Sequence, residues 1–81
     1  MYMTDEDKEL EGFYKKVGKK LTDLRKAAGY TNQESFAHDA GIARGQYGRY
    51  ENGSNITIGK LYKILKYHKI SFEDFFNQGF K

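Results

Sequence analysis

The sequence predicts an all-α domain, and three observations carry the prediction. Apolar residues recur at spacings of three and four, Ser, Thr or Asn precedes most of these runs, and no segment alternates apolar and polar residues as a half-buried strand would. Proline is absent, so Gly and Asn supply the breaks between elements. Thr4 opens the first helix, with Asp7 three residues later as an acidic variant of the capping box, and the acidic residues from Asp5 to Glu11 suit the positive end of a helix dipole. Leu10, Phe13 or Tyr14, Val17, Leu21, Leu24 and Ala28 form its apolar stripe, and Gly29 stops it after Ala28. Its start is open between Asp5 and the residue after Gly12, because glycine inside a helix costs about 1 kcal/mol.

Asn32 or Thr31 caps a second helix, Gln33–Asp39, that buries Phe36, Ala37 and Ala40. Gly41 and Ile42 make a tight turn into a third helix, from about Arg44 to Glu51, which Asn52 and Gly53 terminate. Residues 54–56 form a polar loop. Thr57 caps a fourth helix, Ile58–Tyr67, with Ile58, Leu61, Ile64 and Leu65 inward, and Ser71 caps a fifth, Phe72–Asn77, whose Phe72, Phe75 and Phe76 close the base of the core. The chain therefore divides into an acidic stretch, 1–12, that is an extension or the first turns of helix 1, a folded domain, 13–78, and a short C-terminal tail, 79–81.

Composition narrows the function. At 81 residues there is room for one domain, which buries only about 60% of its unfolded surface. The absence of cysteine excludes a disulfide framework, a thiolate metal site and a cysteine nucleophile. No apolar run approaches the ~18–20 residues of a membrane span, and the acidic N-terminus is unlike a signal peptide, so a cytoplasmic location with no membrane partner is expected. Net charge is uneven: residues 1–12 carry −4, residues 13–70 carry +8 and residues 71–81 carry −1, which sum to +3. A basic body between acidic ends suits a polyanionic partner, although a merely solvated lysine-rich surface fits the same numbers. His38 and His68 share no metal-ligand spacing, and neither a Gly-rich phosphate loop nor a nucleophile–base set occurs. No metal, cofactor, small-molecule substrate or enzymatic activity is expected.

The informative stretch is Gln33 to Gly53. Two helices joined by a short turn containing Gly define a helix-turn-helix; Ala37 is small where they approach, and Gly41 can take the positive φ that the turn requires. Residues 17–76 resemble the five-helix, lambda-repressor-like DNA-binding domain of the Cro and phage-repressor family. The resemblance rests on Arg25 and Gly29 at the end of helix 1, on Gln33, Glu34, Phe36 and Ala37 in helix 2, on the Gly41–Ile42 turn, on Glu51–Asn52–Gly53, and on the run from Ile70 to Phe75. Two positions depart from the family pattern. Ile56 stands where many members have proline, and Ala43 replaces the usual Ser/Thr cap of helix 3, a loss of about 0.5–2 kcal/mol that leaves this helix expected to settle on DNA.

Helix 3 can be read by geometry. At about 100° per residue, Arg44, Gly48, Asn52, Gly45 and Arg49 fall within an arc of about 140°, while Gln46, Tyr47 and Tyr50 lie opposite. Arginine pairs in bidentate fashion with guanine, which makes Arg44 and Arg49 candidate base contacts; Gly45 and Gly48 would let the backbone approach the groove edge, and Gln46 flanks the arc. Gln33 opens helix 2, where free backbone N–H groups suit a phosphate, and the resemblance implies that its side chain is a phosphate clamp that can also brace helix 3. Asn32, Asn52, Ser54 and Asn55 are further candidate DNA-backbone contacts. The resemblance also implies that Arg25 and Glu51 form a largely buried structural ion pair.

The expected function is sequence-specific double-stranded DNA binding by a small bacterial transcriptional regulator, with helix 3 in the major groove. A homodimer is expected, on half-sites about 34–36 Å apart, through helix 5 and the tail, where Phe76 and Phe80 are surplus to so small a core. The alternative is a protein-interaction module, such as an antitoxin-type partner, that keeps the repressor fold and recognises its target through residues 1–12.

Overall fold

The cap on the first helix decides where the structure begins. In the computed structural model, which describes residues 3–77 and Phe80, Thr4 Oγ1 accepts from the Asp7 N–H at 3.0 Å and the Asp7 carboxylate accepts from the Thr4 N–H at 3.2 Å. This reciprocal pair starts α1 at Asp5, so the helix runs through Gly12 without a break to Ala27, with Ala28 as its C-cap. Then follow α2 (Gln33–Ala40), α3 (Arg44–Glu51), α4 (Ile58–Tyr67) and α5 (Phe72–Phe76), with no strand among the described residues. Gly79 and Lys81 of the expected tail, and Gln78 at the end of the expected domain, lie outside the described residues, as do Met1 and Tyr2.

Four of the five helices have a side-chain cap. Thr4, Asn32, Thr57 and Ser71 each accept from a backbone N–H three residues on, whereas Ala43 offers α3 nothing. The 23 residues of α1 span roughly 34 Å, which accounts for most of the 38 Å long axis of the molecule.

The core gathers Val17 and Leu21 of α1, Phe36 and Ala37 of α2, Tyr47 and Tyr50 of α3, Leu61, Ile64 and Leu65 of α4, and Phe75 of α5. Phe36 is its hub: its ring centroid lies 4.8 Å from Tyr47 and 5.3 Å from both Tyr30 and Tyr67, and it stacks on His68 at 5.0 Å. Burial of His68 disfavours its charged form and holds its pKa below the ordinary value, so it acts as an apolar plate. Four residues expected inward are exposed: Leu10, Phe13 (its alternative, Tyr14, is half-buried), Ala28 at the C-cap of α1, and Ile58. Leu10 and Phe13 are 44% and 40% exposed because the first turns of α1 run past the body of the domain, and Ile58 is 73% exposed at the very start of α4, a turn ahead of the buried Leu61.

Two glycines position α3. Gly41, at φ 73°, ends α2 and lets the Ile42 N–H donate back to the Ala37 carbonyl at 2.9 Å, which makes the sharp turn between the helices. At Gly18, α1 lies directly against the end of α3: a Cβ there would lie 2.5 Å from the Glu51 carbonyl oxygen and 2.7 Å from that of Tyr50.

Gly12 and Gly18 sit in the same helix, and alanine should act on them with opposite sign. Gly18→Ala should cost at least about 1–3 kcal/mol by forcing α3 away, because backbone cannot yield as a side chain can. Gly12→Ala, in open space, should gain about 0.5–1 kcal/mol. Urea unfolding of the two variants checks the pair.

Candidate nucleic-acid interface

The site begins with a buried fork. Arg25, from the last turn of α1, donates through Nε to Glu51 Oε2 at 2.8 Å and through Nη2 to Glu51 Oε1 at 3.3 Å, and its Nη1 donates to the Tyr30 carbonyl at 2.9 Å. The two side chains are only 6% and 3% exposed. Glu51 Oε1 also accepts from Gln33 Nε2 at 2.9 Å, so one carboxylate ties the ends of α1 and α3 to the start of α2. Burial opposes ionisation of Glu51, but the hydrogen bonds from Arg25 and Gln33 outweigh it and hold its carboxyl below the ordinary value.

Gln33 reaches Glu51 by passing α3 at Gly48, where a Cβ would stand 3.1 Å from Gln33 Oε1. Sequence geometry attributes Gly48 to groove approach; in the fold it makes room for Gln33. Gly45 has nothing within 4 Å of its missing Cβ and stays open on the outer side.

Tyr47 and Tyr50 are buried and anchor α3 from behind. Burial pushes the pKa of the Tyr47 hydroxyl up, with the Glu51 carboxylate adding to the effect. On the outer side Arg44, Gly45, Arg49 and Asn52 are exposed and Gln46 is half-buried. Ser54 and Asn55, in the loop after α3, are exposed as well. Asn32 is exposed too, and its Oδ1 is committed to capping α2 by accepting from the Ser35 N–H at 2.8 Å, which leaves its amide N–H groups for an external acceptor.

Sequence reasoning missed a contact at the centre of this surface. Arg44 Nη1 donates to Glu34 Oε2 at 2.8 Å, both side chains exposed (73% and 67%), so the first arginine of α3 is held by a carboxylate on α2. The two positions lie ten apart across a turn, where no helical periodicity relates them, and only the crossing of α2 and α3 brings them together. Opposite charge was the one available signal. Arg44, Glu34, Gln33 and Asn32 line an open depression of about 530 Å³ at the start of α2. The surface thus offers guanidinium groups, amide donors and a helix N-terminus, all suited to anionic or acceptor-rich partners.

A helix-turn-helix family model matches residues 21–75 of the chain. No curated protein and no solved structure matches it.

The buried fork should govern acid stability. Because the carboxyl of Glu51 titrates below its unfolded value of about 4.3, the stabilisation it supplies is complete above that pH and is lost as pH falls through the lower, folded value. Arg25→Met should cost about 3–5 kcal/mol at pH 7 by stranding the carboxylate, and Glu51→Gln should flatten the loss of stability below pH ~4.3. Urea midpoints measured from pH 3 to pH 7 test both; an Arg25→Met cost near zero would contradict a buried pair.

Proposed function

The chain belongs to the helix-turn-helix family of Cro and the phage repressors, and on that premise we propose that it is a sequence-specific double-stranded DNA-binding regulator that acts as a homodimer. The family is a DNA-binding, non-enzymatic one. A bacterial, cytoplasmic transcriptional regulator is the setting this reading implies.

The observation that carries the reading is the position of Arg44 and Arg49, both exposed on the side of α3 that faces away from Tyr47 and Tyr50. In this reading α3 enters the major groove and α2 crosses the phosphate backbone. Arg44 and Arg49 read base edges, each good bidentate pair being worth about 1–3 kcal/mol of discrimination. Gly45 admits a close backbone approach, and Gln46 touches the edge of the same surface. Gln33, Asn32, Asn52, Ser54 and Asn55 hold phosphates and so set register without reading sequence. DNA has to share Arg44 with Glu34 or draw it away, a contest in which an exposed ion pair worth at most about 1 kcal/mol yields readily.

A second reading draws on the acidic first turns of α1, where Met3, Leu10 and Phe13 are exposed. They would suit a protein partner of the antitoxin type, and a domain used only in that way would bind duplexes without sequence preference.

Two measurements test the DNA reading. After selection of bound duplexes from a random pool, Arg44→Ala should lower preference for the selected site by about five- to a hundredfold while most nonspecific affinity remains. An equal loss on all sequences would contradict base reading by Arg44. Affinity for the selected site should also fall more than about tenfold between 50 and 200 mM salt, through counterion release; a flat response would argue against phosphate contacts.

A further inference from the structure

A row of aromatic rings crosses the molecule on residues that belong to neither α2 nor α3. Phe13 of α1 stacks on Phe76 of α5 with centroids 6.0 Å apart, Phe76 on Phe72 at 6.2 Å, and Phe72 on Tyr62 of α4 at 6.1 Å, the successive planes within 7°, 9° and 20° of parallel. Phe76 and Phe80 are used inside this arrangement: both are half-buried, and Phe80 packs on Phe13, Phe75 and Phe76. Within the row the exposed rings are its two ends, Phe13 at 40% and Tyr62 at 52%.

Those ends differ in charge. At the α1 end, exposed Leu10 and Phe13 line a shallow groove whose charged walls are Glu6 and Glu9 with Lys8 and Lys16, and residues 1–12, which lead into it, carry −4 in all. At the other end lies a groove of about 650 Å³ between α4 and α5, with Tyr62, Ile70 and Phe72 on its walls and Lys66 and Lys69 at its rim. Residues 60–69 contain four lysines and no acidic residue. An acidic apolar ridge and a basic apolar groove therefore stand at opposite ends of one strip.

We propose that this strip is the interface between two copies of the chain, in which the first turns of α1 of each copy seat Leu10 and Phe13 in the lysine-rimmed α4–α5 groove of the other. The inference names the surface for the homodimer proposed above and rests on that reading. Charge complementarity selects the occupant: the groove needs an apolar segment flanked by carboxylates, and the α1 ridge is one. The ridge cannot fill the groove of its own chain, because α1 is unbroken from Asp5 to Ala27 and cannot fold back. A two-fold axis through the middle of the aromatic row places each ridge over the other copy's groove, so the contact is made twice and closes. Contiguous exposed apolar surface of this kind is what association covers, and the flanking charges set orientation and partner choice more than affinity. The recognition surface of α3 contributes nothing to the strip and stays free for DNA.

Light scattering on the full chain during size exclusion tests the proposal. The wild type should have the mass of two chains. Glu6→Lys with Glu9→Lys should give the mass of one, as should Lys66→Glu with Lys69→Glu, all four positions being exposed. Mixing the two variants should restore the two-chain mass, because each then offers the other a ridge and a groove of opposite charge; restoration also shows that both variants are folded. A two-chain mass that survives either double reversal would overturn this surface while leaving a homodimer, and a mixture that stays at one chain would overturn it as well. A wild type of one-chain mass would overturn both the surface and the homodimer.

Discussion

One carboxylate, Glu51, holds the recognition end of this domain together. It is almost wholly removed from solvent and accepts from Arg25 of α1 and from Gln33 of α2. A buried ion is tolerable only where its lone pairs are taken, and here two donors on Arg25 and one on Gln33 take them. The same guanidinium caps the loop after α1 through the Tyr30 carbonyl. The angle at which α3 leaves the body, and so the direction in which Arg44 and Arg49 point, depends on this fork being intact.

That dependence matters because α3 has little stability of its own. Two glycines in eight residues each cost about 1 kcal/mol of helix propensity, and Ala43 supplies no side-chain cap. Tertiary contacts offset the deficit: Tyr47 and Tyr50 are buried, Gly18 lets α1 lie directly against the end of α3, and Gly48 clears the path by which Gln33 reaches Glu51. A short helix braced from behind leaves its outer side bare. Arg44 and Arg49 on that side are therefore free of packing duties, apart from the exposed pairing of Arg44 with Glu34.

The aromatic content serves a different end of the molecule. Phe36 and its neighbours organise the core around α2, while the rings of α1, α4 and α5 form a strip that extends from the core to the surface. Recognition and assembly can thus use separate helices.

Local physics, read from the residues in order, determined the elements of this protein. Side-chain caps, left-handed glycines and three-and-four spacing depend on neighbours within a turn, so five helices, their order and most core positions were legible, with α1, α2 and α5 misplaced by a single residue at their C-terminal ends. The start of α1 was open because capping-box geometry competes with a glycine eight residues later, and only the two reciprocal bonds of Thr4 and Asp7 decide it. Leu10, Phe13, Ala28 and Ile58 were misjudged because periodicity defines which side of a helix is apolar and not how far the rest of the domain reaches along it. Tertiary structure alone decided the contacts between distant residues: Glu34 with Arg44, Gly18 beneath the carbonyls of α3, and Gly48 beside Gln33. Each joins elements whose separation in the chain is set by a turn and whose separation in space is set by packing, and no periodicity along one helix carries that information.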